Sequence, residues 1–140
     1  MIVLDTNIVL DAFVFNDPLA QSLKQALKAG QLKWLATHAM RDELARVLAY
    51  PKIMPRLAFY QISASDVLDE FDRRVQIVAV APKASVTCRD PDDQKFIDLA
   101  VAHKSTLLSK DGAVLCMAKR LLHLGVLAAS ALPATFIPAN

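Results

Sequence analysis

Glycine is nearly missing from this chain of 140 residues, which contains three. That scarcity excludes a Walker loop and a Gly-x-Gly-x-x-Gly turn, both of which need clustered glycines to bring backbone against phosphate. Cysteine is scarcer still: Cys88 and Cys116 form no Cys-x-x-Cys or zinc spacing. They read as reduced thiols rather than a disulfide framework, as a reducing cytoplasm would keep them. His38, His103 and His123 show no His-Glu-x-x-His or similar ligand spacing, and Ser85 and Ser109 lack a Gly-x-Ser-x-Gly elbow. No apolar run approaches the ~18 residues of a membrane helix, and Met1-Ile2-Val3-Leu4 is too short for a signal peptide. The expectation is a cytoplasmic chain with no membrane segment. Internal repeats, low-complexity tracts and Ser/Gly linkers are also missing.

What is present is a core. Hydrophobic residues make up 54% of the chain and charged residues 21%, enough apolar surface for one globular domain over residues 1–140. The formal charge of +2 is too near balance to signal nucleic acid by bulk electrostatics, so the placement of charge carries the functional reading.

Ile2-Val3-Leu4 reads as a strand buried on both faces. A weaker strand signal follows at Gln31 to Ala36, then β-branched and apolar Val75 to Val80, Thr106 to Ser109 and a candidate fifth at Val126 to Ala129. Between them, Leu19, Ala20, Leu23, Ala26 and Leu27 repeat at helical spacing before Gly30. Thr37 caps a helix carrying Met40, Leu44, Val47 and Leu48 and stopped by Pro51. Pro55 keeps the next stretch irregular or short. Ser63 and Asp66 open a helix packing Val67, Leu68 and Phe71. Asp90-Pro91 opens one burying Phe96, Ile97, Ala100 and Val101. Residues 112 to 124 read as one helix with Val114, Leu115, Ala118, Leu121 and Leu122 inward, ended by Gly125. Strands alternating with helices imply a three-layer α/β/α domain around a central, mainly parallel sheet of about five strands.

In that architecture, strand carboxyl ends and the amino ends of the following helices share one edge. Asp5 follows the first strand and Asp111 the fourth. Asp93 precedes Phe96 and Ile97 by three and four residues, which turns it toward the apolar, sheet-facing stripe. Glu43 borders the buried face of its helix, whereas Asp42 points away. Four carboxylates from four segments thus converge on one concavity. Such a group repels itself unless a cation intervenes, and hard carboxylate donors without Cys or His suit Mg²⁺ or Mn²⁺. One or two such ions would activate water for phosphodiester hydrolysis. Taken singly, each acid has an ordinary structural use: a strand-end turn for Asp5, helix capping for Asp93 and Asp111, a solvated face for Glu43. Their joint placement favours function. Arg41, Arg46, Lys52, Arg56, Arg89 and Lys110 lie near the same segments and are candidate phosphate contacts, with solvated charge as the plainer reading of each.

Four runs carry a resemblance: Val3-Leu4-Asp5-Thr6-Asn7, Arg41-Asp42-Glu43-Leu44, the run from Asp90-Pro91-Asp92-Asp93 to Ala100, and Leu107-Leu108-Ser109-Lys110-Asp111. In order, they resemble the motifs of PIN-domain proteins, more narrowly the VapC-like group of toxin components of toxin–antitoxin systems. The match spans residues 1 to about 132. The resemblance implies a PIN fold and Mg²⁺- or Mn²⁺-dependent endoribonuclease activity centred on Asp5, Glu43, Asp93 and Asp111. It adds supporting roles for Asn7 near the first acid and for Ser109 where the family commonly has Thr, and it leaves the roles of Asp90 and Asp92 open. It also implies an RNA substrate, a small antitoxin partner and a homodimer. Arg41, Arg89 and Lys110 become the candidate RNA contacts. A catalytically silent PIN-like binding module and a receiver-type phosphoacceptor are the alternatives. The receiver lacks an acid after the third strand, and a haloacid-dehalogenase phosphatase would need Asp where Asn7 stands.

Overall fold

The computed structural model describes residues 1–133. Five short parallel strands form its sheet: β1 (Ile2–Leu4), β2 (Trp34–Ala36), β3 (Val75–Ile77), β4 (Thr106–Leu108) and β5 (Ala128–Ala129), in the order β3-β2-β1-β4-β5. The central, all-parallel sheet and flanking helices make this the three-layer α/β domain expected. The expectation of one domain over residues 1–140 runs on into 134–140, which lie outside the described residues. No helix among the described residues is long and apolar enough to cross a membrane.

β1 is the middle strand because its three side chains are all apolar and all buried, as a strand covered on both faces requires. From β1 the chain adds β2 and β3 on one side, then returns to place β4 and β5 on the other. The reversal opens a crevice outside the carboxyl ends of β1 and β4, the usual ligand position in an open parallel sheet. Register fixes the two ends together: Leu4 pairs with Leu108, and the Asp5 amide donates to the Leu108 carbonyl at 2.9 Å.

The helices are α1 (Thr6–Phe13), α2 (Gln21–Lys28), α3 (His38–Leu48), α4 (Met54–Phe59), α5 (Ala64–Arg74), α6 (Gln94–His103), α7 (Gly112–Leu115) and α8 (Ala118–His123). Two expected caps form as the residue types dictate. Thr37 Oγ1 accepts from the Met40 amide, and Ser63 and Asp66 exchange reciprocal bonds of 3.0 Å in a capping box. Pro55 sits in the first turn of the short α4, where its missing N–H costs nothing. Gly30 and Gly125 end their helices with φ of 71° and 82°, which a side chain would strain. Trp34 anchors one side of the core, stacked on Phe13 at 6.1 Å and edge-on to Phe71 at 5.1 Å.

The structure corrects several expectations. α1, directly after Asp5, is an additional helix whose apolar residues are buried almost all round. Leu19 lies in a 3₁₀ turn, Pro18–Ala20, and is 73% exposed. β2 starts only at Trp34, and β3 ends at Ile77 because it is a half-exposed edge with β-bonding on one side alone. The single helix expected over 112–124 is two, broken at Cys116 and Met117; Met117 is buried while Leu122 faces solvent.

Candidate active site

The two strand ends at the crevice carry the first parts of the site. Asp5 occupies the N-cap position of α1 with extended backbone, but its side chain caps nothing. Its Oδ2 accepts instead from Ser109 Oγ at 2.6 Å. The same hydroxyl accepts the Asp111 amide at 3.0 Å, so one fully buried serine ties the acid after β1 to the acid after β4. Asp111 caps α7, with Oδ1 accepting from the Ala113 amide at 2.9 Å. Burial raises the Asp5 pKa, against the lowering bond from Ser109, and the charges of Glu43 and Asp111 push it the same way as burial.

Asp93 enters from the 3₁₀ turn Pro91–Asp93 that leads into α6. Asp90 caps this turn by accepting from the Asp92 amide, and the turn drives Asp93 inward. Ligand atoms of Asp90, Asp93 and Asp111 lie within 4.8 Å of one another. Oδ2 of Asp93 is fully buried without a hydrogen-bond partner among the described residues. Burial, a bond to Asp111 and the charges of Asp5, Asp111 and Asp90 push the Asp93 pKa up to about 8. Asp111 moves the other way: it accepts the bond from Asp93 and from the Ala113 amide, and lies near the Arg89 charge. At neutral pH Asp93 and Asp111 therefore hold one proton as a pair.

Glu43 projects from α3 toward the same edge but is compensated. Thr6 Oγ1 donates to its Oε2 at 2.5 Å, and Lys95 Nζ pairs with its Oε1 at 2.8 Å. Neither partner was evident from the sequence: Lys95 lies 52 positions away from Glu43, and Thr6 carried no local signal beyond adjoining Asp5. Asn7 is exposed in the first turn of α1, and the hydroxyl bond to Asp5 comes from Ser109 rather than its amide. Asp92 is exposed and contributes backbone alone, its amide to Asp90 and its carbonyl to Lys95.

The expected basic residues separate. Arg89 is exposed beside the start of α7, its guanidinium 3.6 Å from where a Cβ on Gly112 would stand. Arg41 instead makes two bonds to Asp72 on α5, at 2.6 and 2.8 Å, and Lys110 pairs with Asp11 at 2.7 Å.

The donor set suits a hard divalent cation. It is all carboxylate oxygen, and one of these oxygens is buried without a partner. A soft-metal alternative is not offered, because burial raises the pKa of the nearby Cys88 thiol, whose Sγ donates to the Ala113 carbonyl.

Fold and site together define a parallel α/β domain with an acidic centre at its topological switch point. The PIN domain family model matches residues 1–113, from β1 through the start of α7, and the chain belongs to that family. PIN domains are generally nucleases that use divalent metal ions, and the matched segment contains every acid described above. Searches of curated proteins and of solved structures found no match.

Proposed function

We propose that this chain is a Mg²⁺- or Mn²⁺-dependent endoribonuclease, the toxin of a toxin–antitoxin pair, with Asp5, Glu43, Asp93 and Asp111 as its catalytic acids. The observation that carries the reading is the buried, unpartnered Oδ2 of Asp93 inside a three-carboxylate cluster, in a chain of a nuclease family. A single domain over residues 1–140, a cytoplasmic location, a homodimer and a small antitoxin partner belong to the same proposal.

Asp93 and Asp111 would hold the cation, with Asp90 and Asp5 beside them. A bound divalent ion supplies positive charge for the scissile phosphate and acidifies water. The chain's own groups supply order. Ser109 orients Asp5 and fixes the Asp111 backbone through one hydroxyl. Asp93 would hold the cation as its carboxylate, since ligands bind deprotonated. Lys95 and Thr6 fix the two oxygens of Glu43 beside the centre.

The test is cleavage of single-stranded RNA by the full chain with Mg²⁺ or Mn²⁺, and with EDTA. The expected result is metal-dependent cutting, abolished by Asp93→Asn in a protein that still folds. Equal cutting by that variant would defeat the reading. Metal-stabilised folding without any cleavage would identify the silent binding module instead.

A further inference from the structure

Beside the acidic centre, α1 and α4 enclose a second cleft, lined by Asn7, Asp11, Phe15, Arg56, Tyr60 and Lys110. We propose that this cleft seats the nucleotide of a single-stranded RNA that flanks the scissile phosphate, with Arg56 on its phosphate and Tyr60 against its base. The proposal rests on the ribonuclease reading and adds to it the residues that hold the strand.

The chemistry of the cleft is that of a phosphate and a planar ring. The Arg56 guanidinium lies 3.6 Å from the centroid of Phe15, a cation–π contact, and its N–H groups make no hydrogen bond among the described residues. Phe15 meets Tyr60 at 6.4 Å, and Tyr60 meets Phe59 edge-on at 5.1 Å. Arg56, Phe59 and Tyr60 are all exposed, Phe59 by 80%. Exposed rings in a row are costly unless something covers them, and stacked bases do so without reading sequence.

Charge points the same way. The acids of the cleft, Asp11 and Asp17, lie 2.7 and 4.0 Å from Lys110 Nζ. The four charges of the cleft, Asp11, Asp17, Lys110 and Arg56, balance; with Lys110 held by Asp11, Arg56 is the base left to meet a phosphate, and among the ion pairs of the described residues it has none. Position joins the cleft to the cut: Asn7 on its wall follows Asp5 by two residues, and Lys110 precedes Asp111. Bases reach aromatic faces only when unpaired, so the strand is single.

The experiment measures fluorescence anisotropy of a labelled 10-nucleotide oligouridylate with Mg²⁺ present, in an Asp5→Asn background that prevents turnover. Adding Tyr60→Leu or Arg56→Gln is expected to weaken binding about tenfold, within the range of a lost base stack or charged contact. Tyr60→Phe restores it. Arg56→Gln lowers the slope of log affinity against log salt by about 0.7, as one lost phosphate contact on a single strand should. Unchanged affinity and slope in both variants overturn the cleft, even if the wild-type chain cuts RNA. A change in self-association with RNA affinity unchanged would mark this face as a protein contact and equally overturn it. Weakened binding in both variants while the wild type never cuts would uphold the cleft and defeat the nuclease reading.

Discussion

The acids of α5 and the acids of the sheet edge differ in what compensates them. On α5, Asp66 is lowered in pKa by the Ser63 backbone and hydroxyl, and Asp72 by its bond to Arg41. Burial raises Glu70, but bonds and charges from Arg74 and Arg73 outweigh it. These three acids thus each have a nearby donor supplied by the fold, and the exposed Asp69 has solvent. At the sheet edge, Asp5 and Asp93 are buried and raised, and Asp93 keeps an oxygen with no partner. The fold could have supplied a cation there, as it supplies Lys95 to Glu43 in the same crevice. A buried carboxyl left with an unpartnered oxygen is a candidate for an outside partner, because the cost persists only where something offsets it.

Substitutions should separate the two regions. The largest effect is expected from Asp93→Asn: RNA cleavage falls at least 1000-fold, about 4 kcal/mol in barrier, while the melting temperature holds at neutral pH and rises above about pH 8, because the amide has no charged form to bury. A variant that melts far lower would mean that Asp93 is a structural acid. Ser109→Ala comes next. It strands a buried carboxylate oxygen and the Asp111 amide together, and should cost about 1–3 kcal/mol in a urea unfolding curve, with reduced cleavage. An unchanged midpoint would show that the hydroxyl bridge contributes nothing.

The acid–base comparison gives a signed pH effect. Asp93 and Asp5 are raised in the folded chain, so between about pH 4 and pH 8 the folded state binds more protons than the unfolded one. The stability they contribute is complete below about pH 4 and is lost as pH rises through 8. The lowered acids, Asp66, Glu70 and Asp72, contribute stability above their ordinary values that is lost only as pH falls below them. Without divalent ions, the melting temperature should therefore decline from pH 5 to pH 8 by on the order of 5 °C, and Mn²⁺ should restore it at pH 8. A rise over that interval would contradict the raised pKa values. The smallest effect is expected on α5: Glu70→Ala loses two partly exposed ion pairs and should cost less than about 1 kcal/mol, with cleavage unchanged.

The centre was more legible in the sequence than the frame around it. Strand ends and helix starts share an edge in any parallel α/β sheet, so Asp5 and Asp111 followed from order alone, and wheel arithmetic turned Asp93 inward and Asp42 out, as found. α1 escaped because Ile8-Val9-Leu10 is a continuous apolar run, part β-branched, buried nearly all round, and such a segment shows no 3.6-residue period. The break at Cys116 and Met117 escaped for the opposite reason, since helical spacing continues across it. Lys95 and Thr6 beside Glu43 were illegible locally, because only tertiary packing brings them there. Asp90 joined the cluster and Asp92 did not, a distinction made by the direction of a single 3₁₀ turn.

The most direct test of the central claim is a calorimetric titration of Mn²⁺ into the metal-free chain at pH 7, repeated in two buffers of different ionisation enthalpy. A cation seat at Asp93 and Asp111 predicts saturable binding with proton release approaching one per chain, lost in Asp93→Asn. Heats no larger than dilution, or the same binding and proton release in Asp93→Asn, would contradict it.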